Sequence, residues 1–342
     1  MIRGFEGVVP LGATELPIGL SIASHSGLPP ARIGELAGRA EAAGFGAVFV
    51  AEGHGDALSL CHPVAAATNS VRVGTAIANA ALRPPVLAAK TAAQLDRASA
   101  GRFILGLGVA NAVMNKRFGI APFDALPMIK EYVSVVRAVL RGETDGYAGQ
   151  IFTTGMVPLD SPPVRAELPI YLAALGPRMQ ALAGRIADGV ILNLMSPAQA
   201  GRAAAAVRAA AREAGRDPAS VEIVCVVHVC VSDNAAQAAA AARAVVPRYV
   251  LHPAAGALFG DGIDGVELGP ARSRTLAGDR ASAAEVVPQP AADGFVAHGD
   301  PATCAARVAE YRAAGVDLPV LFPMPVAGDW QFERVIEEFA SS

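Results

Sequence analysis

The chain has 342 residues, 53% of them hydrophobic and 17% charged, with a formal net charge of −3. That composition provides for a large core, and it excludes the basic face that a nucleic-acid-binding protein presents. Glu6 and Glu15 interrupt the apolar character of the opening MIRGFEGVVPLGATELPIGL, so it reads neither as a secretory signal nor as a membrane anchor, and the cytoplasm is the expected compartment.

Along the chain, short runs rich in Val, Ile, Leu and Phe alternate with longer Ala-rich stretches at helical spacing, which is the pattern of a parallel α/β sheet. Strands are predicted over residues 17–23, 47–51, 71–78, 103–107, 169–174, 189–192, 221–231 and 319–322. Helices are predicted over 30–43, 84–98, 126–140, 177–186, 197–214 and 301–314. Their ends are marked: Asp300 precedes Pro301 and Gly315 follows, while Ser196, Pro197 and Gly215 repeat the arrangement. Eight strand runs in this order suit one (β/α)8 TIM barrel over residues 1–342, with its site at the carboxyl ends of the strands. Two segments break the alternation, 142–168, where GYAGQIF looks like a small hairpin, and 250–297, rich in Gly, Pro and Asp. Both are expected to be insertions on the site side.

Cys61, Cys225, Cys230 and Cys304 have no metal-knuckle or redox spacing, so buried reduced thiols and no metal are expected. GLGVAN at Gly106 starts like a dinucleotide fingerprint, but position 111 is Asn and no acidic residue stands at the required distance. Walker, GxSxG and HExxH motifs are absent from the sequence. His25 and His54 fall just past the first two strands, where barrel enzymes place functional groups, whereas His228 lies in mid-strand and reads as a core residue. Glu52 follows the second strand directly. It could exchange protons in concert with an imidazole, or pair with an arginine of a neighbouring loop. In Ala174, Leu175, Gly176, Pro177, Arg178 and Met179, Gly176 allows close approach, Pro177 starts a helix, and the first-turn amides with Arg178 suit an anion.

Three blocks carry a family resemblance: RVGTAIANAALRPPVLAAKTAAQLDRASAGRFILGLG at 72–108, LPIYLAALGPRMQALAGRIADGVIL at 168–192, and HGDPATCAARVAEYRAAGVDLPVLFP at 298–323. In residues, order and separation they resemble the luciferase-like oxidoreductases, flavin and deazaflavin enzymes, and most closely the branch using coenzyme F420. The resemblance implies a bacterial luciferase-like barrel with the ring in its mouth and the phosphate end near Leu175–Met179. It further implies that Ala78, Asn79 and Ala80 back the ring, through a bulged or cis Asn79–Ala80 bond, and that Gly106 and Gly108 belong to the cofactor site. The activity implied is hydride transfer between F420 and a small organic substrate, with Glu52, His25 or His54 handling protons. Family members often dimerise, and an F420 or flavin reductase would be an electron source. Two alternatives stay open: an FMN-dependent monooxygenase using reduced flavin and oxygen, and a non-catalytic flavin-binding barrel. Beyond Glu52, His25 and His54 the family's substrate-binding groups find no match here, which leaves the substrate open. The apolar, aromatic-poor composition suggests a neutral or hydrophobic one.

Overall fold

The computed structural model describes residues 17–110, 112–155, 157–165, 167–252 and 267–340. Eight parallel strands close on themselves. In ring order they are β1 (Gly19–Ala23), β2 (Ala47–Ala51), β3 (Arg72–Thr75), β5 (Phe103–Gly108), β8 (Ile170–Ala173), β9 (Gly189–Asn193), β10 (Glu222–Val231) and β12 (Leu318–Pro323), which returns to β1. Short β4 (Ala78–Asn79) resumes the third staff after a break and also pairs with β5, and β6 (Tyr147–Ala148) with β7 (Thr153–Thr154) form the small hairpin. Almost every strand residue is buried, as a parallel sheet covered on both faces demands.

Helices α1 (Pro30–Ala42), α2 (Ala57–Ala67), α3 (Pro85–Ala98), α4 (Ala112–Arg117), α5 (Ala125–Leu140), α6 (Pro177–Ile186) and α7 (Pro197–Glu213) follow in turn. After β10 come α8 (Ala235–Val245), α9 (Gly269–Leu276), α10 (Arg280–Glu285) and α11 (Gln289–Asp293), then α12 (Pro301–Ala313) and α13 (Phe332–Glu338). The predicted caps are in place: Asp300 accepts from the Thr303 amide at 2.7 Å, and Ser196 forms a capping box with Gln199.

The barrel's inside is identified by Arg72 of β3, which pairs at 2.7 Å with Glu222 of β10, on the far side of the ring. The Tyr171 hydroxyl of β8 joins the same carboxylate, so these groups meet through the interior at the strands' amino ends. By the alternation of a strand, His228 then also faces inward, nearer the other end. Gly106 is fixed by close approach, since a Cβ there would lie 1.8 Å from the Thr75 carbonyl oxygen. All four cysteines are free and buried.

Three expectations need correction. The strand predicted over 71–78 is interrupted after Thr75, and the cis bond is Ala76–Ile77, not Asn79–Ala80. Asn79 instead starts a 3-10 turn, its side chain accepting from the Ala81 amide at 3.1 Å. The 142–168 segment is not on the site side: it joins the end of α5 to the start of β8, and Arg165 there binds Asp96 and the Phe103 carbonyl oxygen, at the strands' amino ends. Within 250–297, residues 253–266 lie outside the described set, and the remainder carries α9 to α11 and an additional strand, β11 (Val296–Gly299). It pairs with the upper part of β10, whose lower part pairs with β9.

Candidate active site

The mouth is built from segments that follow the strands. After β2, Glu52 accepts from Arg83 through both carboxylate oxygens, at 2.8 and 3.2 Å, and from the Asn79 backbone amide. The same guanidinium reaches Asp56 at 2.9 Å. Arg83 and Glu52 side chains are only 11% and 8% exposed. Burial alone would lower the Arg83 pKa, but the bond and charge of Glu52 outweigh it and hold it above the ordinary value. Of the two readings of Glu52, the geometry therefore favours the ion pair. It ties the end of β2 to the loop after β4.

His25, just beyond β1, lies edge-on to Trp330, with ring centroids 5.8 Å apart, and to His54 at 6.3 Å. Its ring lies so close to Gly53 that a Cβ there would stand 2.6 Å from Nδ1. Burial, and then the charges of Arg248, His54 and Arg280, lower the His25 pKa to about 4. It is thus a neutral imidazole at pH 7, able to accept a proton. His54 is exposed.

Ala78, Asn79 and Ala80 are buried, and Asn79 donates from Nδ2 to Asn115 Oδ1 at 3.0 Å. The half-buried residues of this stretch are Ala76 and Ile77. Gly106 and Gly108 are buried in the wall, Gly106 against Thr75 and Gly108 against Ile77.

At the end of β8, Ala174 is buried while Leu175 and Met179 are half-buried against the core. Gly176 is the N-cap of α6 with no side-chain cap, nothing lies within 4 Å of where its Cβ would be, and Arg178 is exposed. Those observations fit the phosphate of a flavin-type cofactor: a helix start without a side-chain cap, open space above Gly176 and the Arg178 cation alongside, although Pro177 has no N–H and the Met179 amide bonds the Gly176 carbonyl.

Sequence reasoning missed Arg83, Asn115, Trp330 and Tyr249. Trp330 is the chain's one tryptophan and stands just past the last strand, which is a usable signal. Tyr249 has none. Its hydroxyl lies 3.1 Å from His228 Nε2, and burial pushes the His228 pKa down to about 3, with Arg248 contributing. Among the described residues His228 Nδ1 is buried without a hydrogen-bond partner. No group of three metal-ligating side chains occurs among the described residues. Nor is any described helix long and apolar enough to cross a membrane.

A family model described as luciferase-like monooxygenase matches residues 14–318. The chain is 31% identical over 291 residues to the 5,10-methylenetetrahydromethanopterin reductase of Methanolobus tindarius, covering 84% of this chain and 89% of that one. It is 30% identical over 339 residues to a Mycobacterium tuberculosis protein named as a coenzyme F420-dependent oxidoreductase, covering 90% and 94%. In fold it matches the coenzyme F420 dependent tetrahydromethanopterin reductase of Methanopyrus kandleri with a TM-score of 0.84 at 24% identity, over 96% and 98% of the two chains.

Proposed function

The chain belongs to the luciferase-like monooxygenase family, and from that premise we propose that it is an oxidoreductase that uses coenzyme F420. The observation that carries the choice of cofactor is the 30% identity, across 90% of the chain, to a relative named for that coenzyme. When bound, the deazaflavin supplies hydride transfer at its ring carbon to or from a small organic substrate.

In this reading the start of α6 at Gly176, Pro177, Arg178 and Met179 holds the phosphate end, with the Arg178 backbone amide and guanidinium as the donors and Gly176 giving close approach. Ala76 and Ile77 support the ring, with Ala78, Asn79 and Ala80 behind them. The Glu52–Arg83 pair fixes the loop that carries those residues, so Glu52 acts by positioning. His25, held neutral by burial, takes or returns the substrate proton, and exposed His54 communicates with solvent. A homodimer, and an F420 reductase as electron source, belong to the same reading.

The test is equilibrium binding of the purified chain to F420 and to FMN, each oxidised and reduced, followed by fluorescence. Tight F420 binding with weak FMN binding is expected. Preference for reduced FMN, with oxygen consumed in proportion to product, would replace this reading with a monooxygenase. Saturable binding without turnover across a broad substrate panel would leave a non-catalytic barrel.

A further inference from the structure

Beside the mouth lies a cavity of about 350 Å³ that none of the roles above uses. One wall is a single face of α8 and its continuation, with Gln237, Ala241, Ala244 and Arg248 at helical spacing. The other is the loop after β12, including Pro325 and Ala327. That loop is pinned as a tight turn by two backbone bonds between Val326 and Asp329, of 2.9 and 3.1 Å, with Ala327 at φ 52° and Gly328 at φ 97°. The small side chains leave the space open, and the volume suits a small molecule.

Arg248 is the charged residue of the lining, and among the described residues it makes no hydrogen bond or ion pair. Arg280 likewise has no such partner there, and both guanidiniums act on His25, which places Arg248 at the level of the mouth. Arg248 therefore presents its charge to the cavity without a carboxylate paired to it among the described residues. β10 and β12 are the seventh and eighth strands of the ring, and barrels of this kind often bind phosphate in the loops after those strands.

We propose that this cavity binds the anionic group, phosphate or carboxylate, of a small organic molecule whose apolar part lies on the alanine face of α8, with Arg248 as the direct ligand. The site is separate from the α6 terminus. The acid can come from the substrate or from a tail of the cofactor.

The experiment titrates inorganic phosphate into the purified chain and follows both Trp330 emission and heat of binding. Trp330, stacked on Phe332 at 5.1 Å and two residues beyond Gly328, adjoins the site. Saturable change of the Trp330 signal is expected, weakened at least tenfold in Arg248→Gln, with the variant unfolding thermally like the native chain; heat that persists in Arg248→Gln without a Trp330 change belongs to the α6 start. No saturable Trp330 change with the native chain, or an equal change in Arg248→Gln, would overturn the proposal. F420 titration of Arg248→Gln then separates the sources: weakened binding assigns the acid to the cofactor, unchanged binding to the substrate. Failure of the native chain to bind F420 counts against the proposed cofactor and leaves the phosphate result standing.

Discussion

At the scale of the residue, Glu52 shows how burial decides between roles. A carboxylate 8% exposed and bound by a guanidinium and a backbone amide is held in place as a structural pair, whereas His25 is left by burial as a neutral imidazole facing the mouth. Replacing Arg83 with Met strands that carboxylate, and a loss of about 3 to 5 kcal/mol is expected in urea unfolding. The double variant Arg83→Met with Glu52→Leu is expected to recover most of it, since neither charge is then buried alone. The sequence makes His25, His54 and Glu52 conspicuous because each directly follows a strand. It does not announce Arg83, Tyr249 or Arg248, whose positions depend on how loops fold back over the mouth.

At the scale of the element, two glycines of the cofactor hypothesis separate cleanly. Gly106→Ala sets a methyl 1.8 Å from a backbone oxygen, so soluble folded protein is expected to fall sharply. Gly176→Ala enters open space at φ −101°, so its thermal unfolding is expected to match the native chain. If Gly176 faces the cofactor, the same change weakens F420 binding, which the titration above reads. Most helix and strand limits were legible to within two residues, because Pro, Ser, Asp and Gly mark helix ends by their backbone chemistry. What escaped has physical reasons. α2 carries Pro63 in its interior, α8 is mostly alanine, with Gln237, Arg243 and Val245 too few to register a periodicity, and β11 contributes only two buried side chains. The cis bond is at Ala76–Ile77, three residues before the predicted place, and Asn79 caps the next turn instead.

At the scale of the whole molecule, the barrel keeps a neutral histidine inside. Burial lowers the His228 pKa to about 3, below its ordinary 6.5, so between those values the unfolded chain binds the extra proton. Stability is therefore full above pH 6.5 and falls with pH through that window, by about 1.4 kcal/mol per pH unit for each such proton. His25, lowered to about 4, adds in the same direction. Acid unfolding of His228→Phe is expected to be less steep between pH 6 and 4 than that of the native chain, though its stability at neutral pH is reduced by loss of the Tyr249 bond. An equal slope in the two would show that His228 is not a source of the dependence.

The buried cysteines give the barrel a set of clocks. Burial pushes Cys225 and Cys304 up to about 12, and Cys61 and Cys230 higher still, so none offers a thiolate to an alkylating reagent while the chain stays closed. Each label that does attach dates an opening of its own surroundings: α2 for Cys61, the centre of β10 for Cys225 and Cys230, and the outer helix α12 for Cys304. Peptide mapping over time would then read out the order in which the staves of the barrel come apart.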